Sequence, residues 1–222
     1  MNTLESKNIN LLIDFDSTII KDESLELLSE ISVKNPDDKT KIIHITRDAM
    51  EGKIGFSNAL KERVSLLKSK KSHLKDVIEI IQNRLTDSFI QNKKFFKENN
   101  SNCYIISGGF FEIIYPILKP FNISKNNIFA NKFLYDRNDN IISIDDNNAL
   151  SKDKGKVEVA KNISGQNIII GDGYTDYEVK KFGFAEKFIQ FSENINRPIL
   201  NSLSDYTAYD FNQVISYIEN NF

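Results

Sequence analysis

The chain of 222 residues has one cysteine, no tryptophan and no excess of charge of either sign. Because Cys103 has no second cysteine to pair with, an internal disulfide is excluded, and this usage is typical of a reducing compartment. Lysine and arginine together number 29 against 31 acidic residues. The basic residues are also scattered along the chain, so the sequence has no nucleic-acid-binding footprint.

Long apolar runs are absent as well. No stretch approaches the roughly 18–20 apolar residues of a membrane-spanning helix, and the N-terminal stretch "MNTLESKNIN" has no apolar signal core. We therefore expect a cytoplasmic protein without membrane or nucleic-acid partners, and the sequence leaves monomer and homodimer open.

Short apolar runs rich in β-branched residues recur along the chain. Continuous runs of this kind are typical of strands buried on both faces of a parallel sheet, and here they cover residues 9–15, 103–107, 127–133, 167–171 and 187–191. Helical stretches lie between them at 87–99, 109–119, 153–163 and 175–182. The alternation predicts an α/β fold with a doubly wound parallel sheet. Two alternating runs around a polar turn predict an appended β-hairpin over 133–145.

The interval 21–85 interrupts this alternation. It carries helical periodicity without a convincing strand, and Pro36 and Gly55 mark helix starts or breaks. The pattern predicts four helices inserted after the first strand, with the main domain formed by 1–20 and 86–222. Such an insert would lie beside the carboxyl end of the first strand, where open α/β sheets bind ligands.

Polar residues follow the predicted strands where the carboxyl ends of a parallel sheet meet. They are Asp14 and Asp16 after the first strand, Ser107, Gly108 and Gly109 after the second, Asp172 and Asp176 in "GDGYTD", and the lysine cluster Lys152, Lys154 and Lys156. Each motif alone also suits a plain structural role, such as a loop cap, a turn or a solvated loop. Their joint order is what favours a catalytic site.

The chemistry that suits this set is phosphoryl transfer. Carboxylates gathered in a dry site repel each other unless a cation is present, and Mg²⁺ prefers such oxygen ligands together with substrate phosphate. One carboxylate can act as a nucleophile, and a second can protonate the leaving alcohol and then activate water. Backbone N–H groups at the glycine-rich turns suit phosphate oxygens, and a lysine shields the negative charge.

These motifs resemble those of the haloacid dehalogenase (HAD) superfamily, in particular its phosphoserine phosphatases. The matching segments are "DFDSTI" at 14–19, "ISGGF" at 106–110, "KGK" at 154–156 and "GDGYTD" at 171–176. The segment "TRDAMEGKIGFSNALKERVSLL" at 46–67 resembles the cap of these phosphatases. The resemblance implies a HAD-like core, a small helical-bundle cap over 21–85, and hydrolysis of O-phospho-L-serine with Mg²⁺ through an aspartyl-phosphate.

The resemblance also implies roles for individual residues. Asp14 would be the nucleophile and Asp16 the general acid and base. Asp14, the Asp16 carbonyl and Asp172 would bind Mg²⁺, with Asp176 behind them. The phosphate would be held by Ser107 and Lys154 and lined by Gly108 and Gly109, and Thr175 would lie near the substrate.

Specificity would come from the cap. By the same resemblance, Glu23 meets the substrate ammonium, Arg63 its carboxylate, and Met50, Glu51 and Phe56 form the wall around the serine moiety. Periodicity places Arg63 on the apolar stripe of Phe56, Leu60, Val64 and Leu67, which also suits an arginine that only packs its stem there.

Three other hypotheses remain open at this point. A sister phosphatase would act on another small phosphate ester, for which Glu23 and Arg63 together would have no use. A phospho-acceptor signalling module would take phosphate on an aspartate of a middle strand and would lack the insert. A non-catalytic binding protein would be expected to have lost Asp14 or Asp16. The segment "TDSFIQNKKFF" lacks the usual Pro-Gly-type turn, and Tyr174 replaces a common alanine.

Overall fold

The computed structural model describes residues 3–222. Met1 and Asn2, the first two residues of the predicted main-domain segment 1–20, lie outside the described residues. The helices are α1 Thr3–Ser6, α2 Ser24–Ser32, α3 Pro36–Met50, α4 Phe56–Leu67, α5 His73–Gln82, α6 Asp87–Gln91, α7 Lys93–Glu98, α8 Phe111–Leu118, α9 Gly155–Ala160, α10 Tyr174–Lys181 and α11 Phe211–Asn221. The strands are β1 Ile9–Ile13, β2 Cys103–Phe110, β3 Ile128–Asn131, β4 Phe133–Tyr135, β5 Ile141–Ile144, β6 Gln166–Gly171, β7 Lys187–Phe191 and β8 Tyr206–Ala208.

Six strands form one parallel sheet in the order β3-β2-β1-β6-β7-β8. In the centre, Ile13 is in register with Ile105 of β2 and with Ile170 of β6. The chain adds β2 and β3 on one side of β1 and then crosses to β6 on the other. The strand order therefore reverses next to β1, and the carboxyl ends of strands at such a point are where open sheets bind ligands. The predicted doubly wound parallel α/β fold is confirmed.

Burial explains why the continuous apolar runs became central strands. All five residues of β1 are buried, as are the last five of β6. Helices cover both faces, so the side chains of these strands are mostly apolar, and the buried Asn10 and Asn167 are hydrogen-bonded to each other. Within residues 3–222, no helix is long and apolar enough to cross a membrane.

Four helices, α2 to α5, lie within residues 21–85, as the periodicity predicts. In this insert α2 packs on α5, and α3 packs on α4. Pro36 opens α3 at a position where its missing N–H is not needed, and the Asn35 side chain caps the helix by accepting from Asp37 N. Their apolar faces join the main hydrophobic core, with Leu28, Leu60, Leu67 and Ile81 all fully buried.

The two chain segments that enter and leave the insert run side by side. Ile20 and Leu85 form an antiparallel bridge. Next to it, Lys21 N donates to Arg84 O at 2.9 Å, and Thr86 N donates to Ile19 O at 2.9 Å. The insert thus joins the sheet through a short hydrogen-bonded two-strand connection.

The hairpin of β4 and β5 is a separate two-stranded antiparallel sheet, as predicted. It also contacts the insert through the backbone: Ile141 N donates to Ser69 O at 2.8 Å, and Lys71 N donates to Asp139 O at 2.9 Å.

Three sequence-based boundaries differ from the structure. The helix predicted over 87–99 is divided into α6 and α7. It is interrupted at Asn92, whose side chain donates to Ser88 O. The strand predicted over 127–133 is divided between β3 and β4. Beyond 191, β8 and α11 were not predicted; β8 is a three-residue edge strand, too short for an alternation pattern.

Candidate active site

Asp14 lies directly after β1 and is 3% exposed. Its amide donates to Ile170 O at 2.9 Å, which continues the pairing between β1 and β6. Its Oδ1 accepts from Phe15 N at 2.7 Å, and its Oδ2 lies 2.7 Å from Lys156 Nζ. A carboxylate buried at a strand end is costly unless it is paired, and here a backbone donor and a buried ammonium compensate it.

The lysine beside Asp14 is Lys156, and the choice of Lys154 is corrected by the structure. Lys156 is 5% exposed and also lies 2.8 Å from Asp176 Oδ1. Burial opposes its charge, but Asp14 and Asp176 outweigh burial and raise the pKa of Lys156. Lys154 instead has φ +59° at the start of α9, and its ammonium lies 4.5 Å from the centre of the Phe182 ring. This left-handed turn directs the exposed Lys154 away from Asp14, whereas Lys156 projects from the first turn of the helix into the site.

Asp16 stands two residues after Asp14 and faces the same cavity. Its Oδ1 accepts from Ser24 N, at the start of α2, at 2.8 Å. Burial, and next the charge of Asp14, raise the pKa of Asp16 to about 7. A carboxyl group with a pKa close to neutrality can both donate and accept a proton at physiological pH.

The turn at the end of β2 closes another side of the cavity. Ser107 is fully buried, and its Oγ accepts from Gly109 N at 2.9 Å. A Cβ at Gly108 would lie 2.5 Å from Cζ of Phe56, so a side chain there would have to displace the Phe56 ring. The buried Asn131 side chain donates to Gly108 O at 2.9 Å and fixes this turn from the other side.

Two further acids, Asp172 and Asp176, follow β6. Oxygens of Asp14, Asp172 and Asp176 all lie within 4.8 Å of one another, and all three residues are buried. Asp172 Oδ2 accepts from Arg197 Nε at 2.8 Å, whereas its buried Oδ1 has no hydrogen-bond partner in the part of the chain that is described. Asp176 Oδ1 accepts from Lys156 Nζ, and Asp176 Oδ2 accepts from Gly173 N.

This donor set fits a hard divalent cation such as Mg²⁺, which takes carboxylate oxygens. The unpartnered Asp172 Oδ1 is an oxygen that such an ion would satisfy. Asp172 is therefore the clearest direct ligand, whereas each oxygen of Asp14 and of Asp176 already has one protein donor. The Asp16 carbonyl as a ligand stays a prediction.

Two buried groups of opposite charge line the cavity from the insert. Glu23 Oε1 accepts from Ser17 Oγ at 2.8 Å, and Arg197 is its nearest cation at 3.8 Å. Burial, and then the charge of Asp16, raise the pKa of Glu23 well above its usual range.

Arg63 is 3% exposed and lies on the apolar stripe of α4. It donates to Ala59 O at 3.3 Å and to Thr46 Oγ1 at 3.2 Å. Burial lowers its pKa, and among residues 3–222 no carboxylate forms a salt bridge with it. A buried guanidinium of this kind is left with charge to be compensated.

Of the predicted wall residues, Met50 and Phe56 line the cavity, and so does Thr175, which was predicted to lie near the substrate. Thr175 Oγ1 is buried and has no partner within residues 3–222, so it is free to bind a ligand oxygen. The structure places Glu51 elsewhere: it follows the last residue of α3, and its carboxylate pairs with Lys53 at the surface.

Sequence reasoning missed Arg197 and Leu25. Arg197 is 5% exposed and contacts Asp172 and Glu23 from the loop after β7. The only sequence signal was a cation beyond the end of an apolar strand, and no motif marked it. Leu25 lines the cavity from the first turn of α2 and has no signal that separates it from core leucines.

Comparisons with known proteins agree with this geometry. The family model of the haloacid dehalogenase-like hydrolases matches residues 11–180. A crystal structure of a phosphoserine phosphohydrolase-like protein from Francisella tularensis is 35% identical, with a TM-score of 0.86, and the match covers 94% of this chain and 99% of that one.

Two curated relatives are phosphoserine phosphatases. The Drosophila melanogaster enzyme is 31% identical over 208 residues, which is 91% of this chain and 75% of that protein. The chloroplastic enzyme of Arabidopsis thaliana is 29% identical over 211 residues, or 93% of this chain and 70% of that protein.

The parallel sheet with acids at its carboxyl edge is that of a phosphoryl-transfer enzyme. The chain belongs to the haloacid dehalogenase-like hydrolases. Within that family it is a phosphatase.

Proposed function

We propose that this phosphatase hydrolyses O-phospho-L-serine to L-serine and phosphate with Mg²⁺, through an aspartyl-phosphate on Asp14. The observation that carries the proposal is the buried Arg63 guanidinium, which lines the same cavity as Asp14 and Glu23 and has no salt-bridge partner within residues 3–222. Burial of an unpaired guanidinium costs free energy, and a ligand that brings the opposite charge would offset that cost.

Glu23 extends the argument to the other half of the substrate. Its raised pKa means that its negative charge is poorly compensated by the protein alone. A phosphate ester that carries both a carboxylate and an ammonium would pair its carboxylate with Arg63 and would place a second cation beside Glu23, in addition to Arg197. The planar guanidinium suits a carboxylate through two parallel hydrogen bonds, which favours an α-amino acid phosphate.

The chemical step follows from the positions of Asp14 and Asp16. The Asp14 carboxylate attacks phosphorus, and the bond from phosphorus to the serine oxygen breaks as Asp16 gives that oxygen its proton. Water then attacks the same phosphorus and passes a proton to Asp16, while the Asp14–phosphorus bond breaks and phosphate leaves. Lys156, Ser107 and the Gly108 and Gly109 amides would hold phosphate oxygens throughout.

Asp14 and Asp172 would hold the Mg²⁺ ion, with Asp176 behind them. When bound, the ion supplies positive charge that offsets the carboxylates and the phosphate in one dry site. The buried acids described above suit that charge.

We also propose that residues 21–85 act as a cap domain over a core formed by 1–20 and 86–222. The single two-strand connection at Ile20 and Leu85 supports this division. The cap would supply Glu23, Met50, Phe56 and Arg63, and the core would supply the groups that carry out catalysis. A substrate would then be enclosed between the two.

A matched substrate panel tests the proposal. Phosphate release with Mg²⁺ is measured on O-phospho-L-serine, on phosphoethanolamine, which lacks the carboxylate, on 3-phosphooxypropanoate, which lacks the amine, and on a sugar phosphate. We expect O-phospho-L-serine to have the highest kcat/KM. Replacing Arg63 by alanine should lower the rate on the two carboxylate-bearing esters and should leave phosphoethanolamine nearly unchanged, because only an interacting pair is coupled.

The control is Arg47→Ala, which removes an exposed arginine of the neighbouring helix α3. It should change none of the four rates. If the wild type prefers phosphoethanolamine or the sugar phosphate, the substrate is wrong and the sister-phosphatase hypothesis replaces it.

A further inference from the structure

The N-terminus of α4 is capped by a residue from a distant part of the chain. The first amides of a helix have no acceptor within the helix, and in α4 the N-cap position is Gly55, which has no side chain to offer. Instead, Ser57 N donates to Asp153 Oδ1 at 2.8 Å. Asp153 lies in the loop before α9, so a core loop supplies the cap of a helix in the insert.

The lysine of the active site, Lys156, lies three residues after Asp153, in the first turn of α9. Lys154 adopts the left-handed conformation, with φ +59°. The residues on either side of this turn therefore face different neighbours: Asp153 contacts α4, and Lys156 contacts Asp14 at 2.7 Å. One short segment thus joins the start of α4 to the proposed nucleophile.

Two further contacts join the residues around the start of α4 to the rest of the protein. The ring of Tyr174 lies against Gly52, where a Cβ would approach its Cγ to 2.7 Å and where φ is +72°. Phe56 lies equally close to Gly108. The start of α4 is therefore seated on the core, and Arg63 follows about two turns later on the same face.

We propose that Asp153 is a positioning residue for the substrate-binding face of α4. Its carboxylate fixes the first turn of the helix against the core, so that Phe56 and Arg63 lie over the cavity while Lys156 contacts Asp14. The part that concerns substrate specificity rests on the proposed function, whereas the capping itself does not.

The kinetic test compares Asp153→Ala with Asp153→Asn. The alanine variant loses the acceptor, and the loss of an N-cap corresponds to about a 2- to 30-fold decrease. We expect that decrease in kcat/KM for O-phospho-L-serine, with p-nitrophenyl phosphate nearly unchanged because it has no carboxylate for Arg63. Asparagine keeps an acceptor oxygen and should restore the rate to within about twofold, because it caps helices about as well as aspartate.

Glu158→Ala is the matched control, because it removes an exposed acid of the adjoining helix α9, where Glu158 pairs with Lys161. It should leave both rates unchanged. An equal loss on both esters in Asp153→Ala, or an equal loss in Glu158→Ala, would overturn the proposal in favour of a general electrostatic effect.

A second readout needs no substrate. Hydrogen exchange of the Ser57 amide should be faster in Asp153→Ala than in the wild type, and Asp153→Asn should exchange like the wild type. Unchanged exchange in the alanine variant would overturn the proposal. If the wild type fails to hydrolyse O-phospho-L-serine, the proposed substrate is wrong, yet the exchange measurement still decides whether Asp153 caps α4.

Discussion

Two lysines two positions apart at the start of α9, Lys154 and Lys156, occupy different environments. Lys156 is buried between Asp14 and Asp176, and Lys154 is exposed beside Phe182. A sequence pattern cannot separate them, because their side chains point in different directions only through the left-handed turn at Lys154. The residue scale is therefore where the structure changes the assignment most.

This difference predicts unequal effects of substitution. Lys156→Met should lower kcat by about 10²–10³-fold, the usual cost of removing one group that stabilises the developing charge. Lys154→Met should stay within a few-fold of the wild type, since its ammonium does not reach Asp14. Both are measured by phosphate release at saturating substrate and Mg²⁺. Equal losses, or a larger loss at Lys154, would restore the assignment made from the sequence.

Asp14 gives a second prediction at this scale. Asp14→Asn should abolish turnover, because the neutral amide is a poor nucleophile. Its circular dichroism spectrum should match that of the wild type. Beryllium fluoride, which mimics an acyl phosphate, should occupy Asp14 in the wild type and show no occupancy in the variant. Measurable turnover by Asp14→Asn would rule out the covalent route.

At the scale of elements, the loop after β7 forms hydrogen bonds to the two segments that connect the insert to the sheet. Asn194 Nδ2 lies 2.7 Å from Thr86 Oγ1 and donates to Ser17 O at 3.1 Å. Thr86 in turn donates to Thr18 O at 2.7 Å. One side chain thus binds both segments that lead into and out of the insert.

Asn194→Ala should therefore weaken this connection. The variant leaves partly buried polar groups without their donor, which typically costs about 1–3 kcal/mol. We expect a lower free energy of unfolding in urea and faster proteolysis near residues 19–22 and 84–87. Asn212→Ala, which removes an exposed asparagine bonded to Asn92, is the control and should change neither. A stable Asn194→Ala with unaltered proteolysis would argue against the view that this side chain holds the connection to the insert.

At the scale of elements, some strands and helices could be predicted from the sequence and others could not. Strands β1, β6 and β7 were predictable because burial on both faces requires continuous apolar runs. The four insert helices followed from their periodicity, and Arg63 was placed on the correct face of α4. Arg197 was not predictable, because its role depends on the folding of an irregular loop back onto Asp172. Edge strand β8 could not be predicted either, because its three residues are too few to show an alternation pattern.

On the scale of the whole molecule, a metal ion should link activity and stability. Asp14, Asp172 and Asp176 gather buried negative charge that a cation would offset. Chelation should stop activity without unfolding the chain. Mg²⁺ should raise the melting temperature, since a ligand at about 100 times its Kd adds about 2.7 kcal/mol. Asp172→Asn should lose most of that increase. Full activity in excess chelator would contradict metal dependence.

The central claim is that Arg63 and Glu23 select an α-amino acid phosphate. The most direct measurement is the ratio of kcat/KM for O-phospho-L-serine to that for p-nitrophenyl phosphate, in the wild type and in Arg63→Ala. Truncating one partner of a buried charge pair costs roughly 2–5 kcal/mol, so the ratio should fall by about 30-fold to several thousand-fold. Arg63→Lys should recover only part of it, because an ammonium lacks the planar fork. A ratio that stays constant while both rates fall would contradict the claim and leave Arg63 a residue that only supports packing.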